Sequence, residues 1–194
     1  MKNSILAFGL LSFATTALLA QPALAVSLSF NPATASIDQS TTVNMDVVLS
    51  GLENDNLAAF ELVVNYNPAI LTFGAYALGD GLGVLGVEAD DWSLGDLGSG
   101  QINLSELSYL SDFMFQADSI TLATVSFVGQ NIGVSSLSFS GVVLGNELGS
   151  SLLCDFQSAN VTVNSPNAPV PEPATMVLFV SGLTGLAGLV RRRK

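Results

Sequence analysis

The chain has 194 residues, with 16 Asp plus Glu against 5 Lys plus Arg, no His and one Cys. The five cations are Lys2, Arg191, Arg192, Arg193 and Lys194, so residues 26–170 hold 15 acids (16 less Glu172) and no base, a charge of −15. Such a domain excludes a basic groove for nucleic acid, and without His, Lys or Arg it lacks the usual catalytic bases, oxyanion clamps and phosphate ligands.

Residues 1–25 have the form of a secretory signal helix. Lys2 supplies a short positive start, Ile5 to Leu19 an apolar stretch, and Ala23-Leu24-Ala25 a small-x-small site with cleavage expected after Ala25. Export by the Sec route is the expectation.

From Val26 onward apolar residues repeat with period two. Val26, Leu28 and Phe30 alternate with serines; Val43, Met45, Val47 and Leu49 follow, then Phe60, Leu62, Val64 and Tyr66. Further on come Ala123, Val125 and Phe127, then Leu137 and Phe139, then Leu152, Cys154 and Phe156, then Val161 and Val163. This is the pattern of strands with one buried and one wet face. Broken by Gly, Asn, Asp, Ser and Pro, such strands predict an all-β sandwich over residues 26–164. Leu104 to Phe115 is the one stretch that would carry a short helix. Cys154 is expected to point inward beside Leu152 and Phe156 and to pack as a small hydrophobe.

Gly79 to Gly100 holds seven glycines and the acids Asp80, Glu88, Asp90, Asp91 and Asp96. Carboxylates clustered on a Gly-rich loop suit a hard cation such as Ca2+, although their spacing matches no EF-hand or RTX repeat; the alternative is a solvated acidic loop. Trp92, the single Trp, lies inside this segment. Exposed, its ring would stack on a sugar with Tyr66, Tyr76 or Tyr109 as companion; buried, it would cap the core. An acid pair such as Asp90 with Asp96 would be needed for glycoside hydrolysis, but a Gly-rich loop offers no apolar wall to raise one carboxyl's pKa.

Residues 165–170 read as a linker. After them come Pro171, Glu172 and Pro173, a small, Gly-bearing apolar run from Ala174 to Val190, and Arg191-Arg192-Arg193-Lys194 at the end. The apolar run is near the shortest length that spans a bilayer, and the basic tail orients it with its end in the cytoplasm.

Two resemblances follow from these residues. Pro-Glu-Pro, an apolar span and a terminal Arg cluster, in that order, resemble the PEP-CTERM sorting signal of exported bacterial proteins. The likeness implies that a membrane-embedded exosortase recognises Pro171, Glu172 and Pro173 after transient membrane anchoring and removes the tail, leaving the protein at the cell surface or outside the cell. The segments VNMDVVLSGL (43–52), LAAFELVVNYNPAILTF (57–73), LATVSF (122–127), SLSF (136–139) and NVTV (160–163) resemble a cohesin domain, with Tyr66-Asn67-Pro68 where that family commonly has Tyr-Asp-Pro. That likeness implies a jelly-roll-like antiparallel β-sandwich of about nine strands, related to carbohydrate-binding modules. It also implies binding of a dockerin-like module through one sheet face.

The expected protein is therefore a non-enzymatic surface or matrix protein that binds polysaccharide or a partner module. An acidic biofilm component bridged by divalent cations is the alternative, and a carboxylate glycoside hydrolase the remotest.

Overall fold

The structure, a computed structural model, describes residues 26–53 and 55–166. The signal segment with Ala23 and Ala25, most of the linker, and the tail with Pro171, Glu172 and Pro173 lie outside the described residues.

Twelve strands form two packed sheets: β1 (Val26–Asn31), β2 (Thr34–Asp38), β3 (Thr42–Ser50), β4 (Ala59–Asn65), β5 (Leu71–Leu78), β6 (Ala89–Asp91), β7 (Gly95–Gly98), β8 (Gln101–Ser108), β9 (Ser119–Gly129), β10 (Gly133–Gly145), β11 (Cys154–Phe156) and β12 (Ala159–Asn164). Nine of these have five residues or more; the excess over the expected nine is β6, β7 and β11, of three or four residues each. One sheet runs β11-β1-β3-β9-β5, and the other runs β2-β12-β10-β4-β8-β6 with β7 also on β8. Most pairings are antiparallel, but β1 with β11 and β12 with β2 are parallel. The first extended segment is shared between the sheets. It breaks after the cis Asn31–Pro32 bond, where proline has no N–H for a ladder, and resumes in the opposite sheet as β2.

The alternation seen in the sequence forms the interior. Leu28, Met45, Val47, Leu49, Leu62, Val64, Val125 and Phe127 are fully buried between the sheets, with Ile102, Leu104 and Leu137 from the larger one. Phe30 and Phe139 stack across the core at 4.2 Å, and Tyr66 tilts against Phe127 at 5.1 Å. The Tyr66-Asn67-Pro68 turn is closed by its own asparagine. Asn67 Oδ1 accepts from the Ala69 N–H at 3.0 Å, its carbonyl accepts from Ile70 and Leu71, and its N–H donates to the buried Ser135 Oγ.

Three expectations are corrected. Leu104 to Phe115 is not helical: its first part belongs to β8, a strand inside the larger sheet, and the residues after Ser108 form turns and loop. The Gly79–Gly100 segment is not all loop, because β6 and β7 lie within it and pair with β8. Phe156 does not join Cys154 inside: β11 is the edge of its sheet, where Cys154 is half-buried against the core and Phe156 stays 56% exposed. Burial pushes the Cys154 thiol up to about 11, so it packs as an uncharged group.

Candidate functional site

The two outer faces differ in chemistry. On the five-stranded sheet the outward rows of β3 and β9 are mainly hydroxyl, amide and carboxylate, with Val48 and Val128 half-buried among them: Thr124 donates to Asp46 at 2.7 Å, Ser126 to Asn44 at 2.6 Å, and Ser27 meets Ser50 at 2.9 Å. On the larger sheet, β4, β8 and β10 bring apolar groups to the surface. The register sets Val143 opposite Glu61, Glu61 opposite Ser105, and Leu107 opposite both Ala59 and Asp90. Trp92 follows directly on β6 and borders the same surface, closing a shallow groove of about 300 Å³ whose lining includes Ala59, Glu61, Trp92, Glu106, Leu107 and Val143.

Backbone bonding fixes Trp92 in place. Its N–H donates to the Ser105 carbonyl at 2.9 Å, and Ser93 Oγ both donates to that carbonyl and accepts from the Ser105 N–H. The Leu94 N–H donates to Asn103 Oδ1 at 3.0 Å, while Asn103 Nδ2 donates to Glu61 Oε1 at 3.3 Å. Residues 92–94 are thus held along β8, and the indole is left outside, 63% exposed, with Val143 at 58% and Leu107 at 37%. Of the two readings of Trp92, the structure supports exposure over a core cap.

The tyrosines named as companions divide. Tyr66 packs in the core. Tyr76, on β5, reaches across the open side of the sandwich and donates to Asp91 Oδ2 at 2.9 Å. Tyr109 stands beside Trp92 and donates to Asp90 Oδ2 at 3.0 Å. That bond to Asp90, together with burial and the Asp90 charge, holds the Tyr109 phenol above its ordinary value.

The five acids do not form one centre. Glu88 Oε2 accepts from the Val84 N–H, Asp96 Oδ1 from the Gly98 N–H, Asp90 from Tyr109, and Asp91 from Tyr76 and the Ser93 N–H. Asp80 lines a separate cleft of about 580 Å³ with Glu88, Asp112 and Phe115. Among the described residues, no group of three or more His, Cys, Asp or Glu is placed to hold a metal ion. Asp90 pairs with Leu107 and Asp96 with Ile102 along β8, which sets them roughly 17 Å apart at the usual strand rise, beyond the spacing of a glycosidase carboxyl pair.

One acid that the sequence did not single out is unusual. Glu106, in an inward-facing position of β8, is 1% exposed, and its Oε1 has no hydrogen-bond partner. Burial, with the Asp91 charge beside it, raises its pKa to about 7. For Asp91 itself burial acts upward, but the bonds from Ser93 and Tyr76 outweigh it and hold that carboxyl below the ordinary value.

The comparisons with known proteins agree with this architecture. Residues 169–194 match the PEP-CTERM protein-sorting motif. The fold is similar to the sixth cohesin of scaffoldin B from Acetivibrio cellulolyticus, solved in complex with a Cel5 dockerin, at 18% identity and a TM-score of 0.62 over 72% of this chain and 99% of that one. It is also similar to a non-cellulosomal cohesin from the archaeon Archaeoglobus fulgidus (14% identity, 74% of this chain and 94% of that one, TM-score 0.57). A third similar structure is the cohesin module of a family 33 glycoside hydrolase from Clostridium perfringens (11% identity, 73% and 98%, TM-score 0.60). No curated protein matches the sequence. The chain accordingly combines a cohesin-like β-sandwich with a C-terminal PEP-CTERM sorting motif.

Proposed function

We propose that this is an exported, non-enzymatic binding protein whose sandwich engages a partner protein module or a surface polysaccharide through the Trp92 face of the larger sheet. The supporting observation is the groove itself: an exposed indole, backed by Leu107 and Val143 and edged by Glu61, on a sheet face whose counterpart across the sandwich is mainly polar. Aromatic anchors of this kind carry most of the energy at protein interfaces and offer a stacking plane to sugars. A dockerin-like module is favoured as the occupant because a similar fold was solved with a dockerin bound. The sorting motif supports the rest of the reading. The signal segment ending at Ala23-Leu24-Ala25 directs Sec export, the apolar tail holds the chain briefly in the membrane, and an exosortase reads Pro171, Glu172 and Pro173 before release or retention at the cell surface.

The test is binding of the exported protein to a panel of dockerin-type modules and to a glycan array. Saturable binding to at least one of them is expected; blanks on both would overturn the proposal.

A further inference from the structure

The described residues contain no Lys, Arg or His, so a carboxylate withdrawn from water has no cation to pair with. Fourteen of the 15 acids in residues 26–170 avoid that cost by not being buried; Glu106 alone is a buried acid. On β4, Phe60 stands opposite and carries no charge, while Glu61 belongs to the other face. On β6 the opposite residue is Asp91, the one charge that bears on it. Across the sandwich on β5 stands Tyr76, whose hydroxyl is held by Asp91. Asp91 thus bridges β5 and β6, the edge strands that border this side of the two sheets.

β6 is three residues long and pairs with β8 at Ala89–Ser108, Asp90–Leu107 and Asp91–Glu106; Ala89 alone has a further bridge, to Leu85. Its last pair therefore sets an ionised carboxylate against a buried carboxyl, and the next residue is Trp92. Protonated, Glu106 is neutral and adds no repulsion to this pair. Ionised, it would place a second negative charge next to the exposed Asp91 and leave its own carboxylate withdrawn from water with no cation to pair with. The least stable element in reach is the short edge strand that carries the other charge.

We propose that Glu106 is a proton-operated latch for the Trp92 segment: its neutral form keeps β6 on β8, and its ionisation drives β6 outward and displaces the indole from the groove. The effect on ligand binding rests on the role proposed above for the Trp92 face, whereas the latch itself does not. Because burial and the Asp91 charge place the transition near neutral pH, an acidic medium would hold the face in its assembled form and an alkaline one would release it.

Trp92 is the single tryptophan of the whole chain, so the intact protein in detergent reports on the latch without any ligand. Tryptophan emission and acrylamide quenching, followed from pH 5 to 9, should show one transition with a midpoint near 7. Tyr76 and Tyr109, beside this segment, are both held above the ordinary phenol value and stay silent over that range. In Glu106→Gln the transition should vanish with the emission fixed at its acid-side value, and in Asp91→Asn, which removes the neighbouring charge but keeps an acceptor for Tyr76, the midpoint should move to lower pH. A flat wild-type titration, or an unchanged midpoint in Glu106→Gln with circular dichroism showing both proteins folded, would overturn the latch. Either result leaves the binding assays free to stand or fall separately.

Discussion

Glu106 shows how one side chain sets both a stability profile and the legibility of its strand. Its folded-state pKa of about 7 lies above the ordinary carboxyl value of 4.5, so the native state holds this proton more tightly than the unfolded chain does. The resulting stabilisation is complete below about pH 4.5, declines as pH rises toward 7, and is gone above it. Wild type minus Glu106→Gln in urea unfolding should therefore change by about 1–3 kcal/mol between pH 5 and 8, with the variant the relatively more stable partner at pH 8. A pH-independent difference would show that Glu106 is solvated. Asp91 has the opposite sign, its lowered pKa supporting the fold above the ordinary carboxyl range and withdrawing support as pH falls.

Gly100 is a second residue with a defined backbone task. At φ +82°, its carbonyl accepts from the Tyr66 N–H at 2.8 Å, which joins the start of β8 to the end of β4. A Cβ there would overlap the Tyr66 carbonyl oxygen and come within 2.7 Å of Pro68 Cδ. Gly100→Ala should lower stability by about 2–4 kcal/mol, from a left-handed φ and a backbone clash together. Gly98→Ala is the control: φ is also positive, at +77°, but nothing lies within 4 Å of the added carbon. Thermal melts that rank the two equally would contradict the clash.

At the scale of elements, strands were legible where large apolar residues alternate without interruption. β1, β3, β4, β9 and β12 all show this, and their alternating residues form the core. β8 was hidden because its inward positions run Ile102, Leu104, Glu106: a charged residue in the third slot breaks the period, and the stretch then reads as a helix. β6 and β7 were hidden for another reason. Ala-Asp-Asp and Gly-Asp-Leu-Gly bury almost nothing, and they are strands because β8 supplies backbone partners. β2 lay between the two, its Ala35 and Ile37 only half-buried. The same limit applied to the site. Trp92 stood out as the lone tryptophan, but Glu61, Leu107 and Val143 lie 31, 15 and 51 residues away in sequence and meet it only through the register of β4, β8 and β10.

For the whole molecule, the dominant feature is uncompensated charge. Fifteen acids and no base between residues 26 and 170 leave the compact state under self-repulsion, with no ion pair available to the described residues to offset it. Salt screens this repulsion over a Debye length that falls from ~30 Å at 0.01 M to ~8 Å at 0.15 M. The melting temperature should therefore rise by several degrees across that range, and a flat profile would mean that the charges are too dispersed to strain the fold. The same field would speed the arrival of any partner with exposed Lys or Arg at low ionic strength, and under the proposed function the groove at Trp92 would be the contact that holds it.

Under the proposed function, one face of the larger sheet is the binding surface. The most direct measurement is calorimetric titration of the wild type, Trp92→Ala and Asn44→Ala with whichever dockerin-type module or glycan the wild type binds. Asn44 lies on the opposite outer face, where it accepts from Ser126. Loss of about 2 kcal/mol or more of binding energy, ~30-fold in affinity, in Trp92→Ala alone is the predicted result. Equal affinities for Trp92→Ala and wild type would contradict the account.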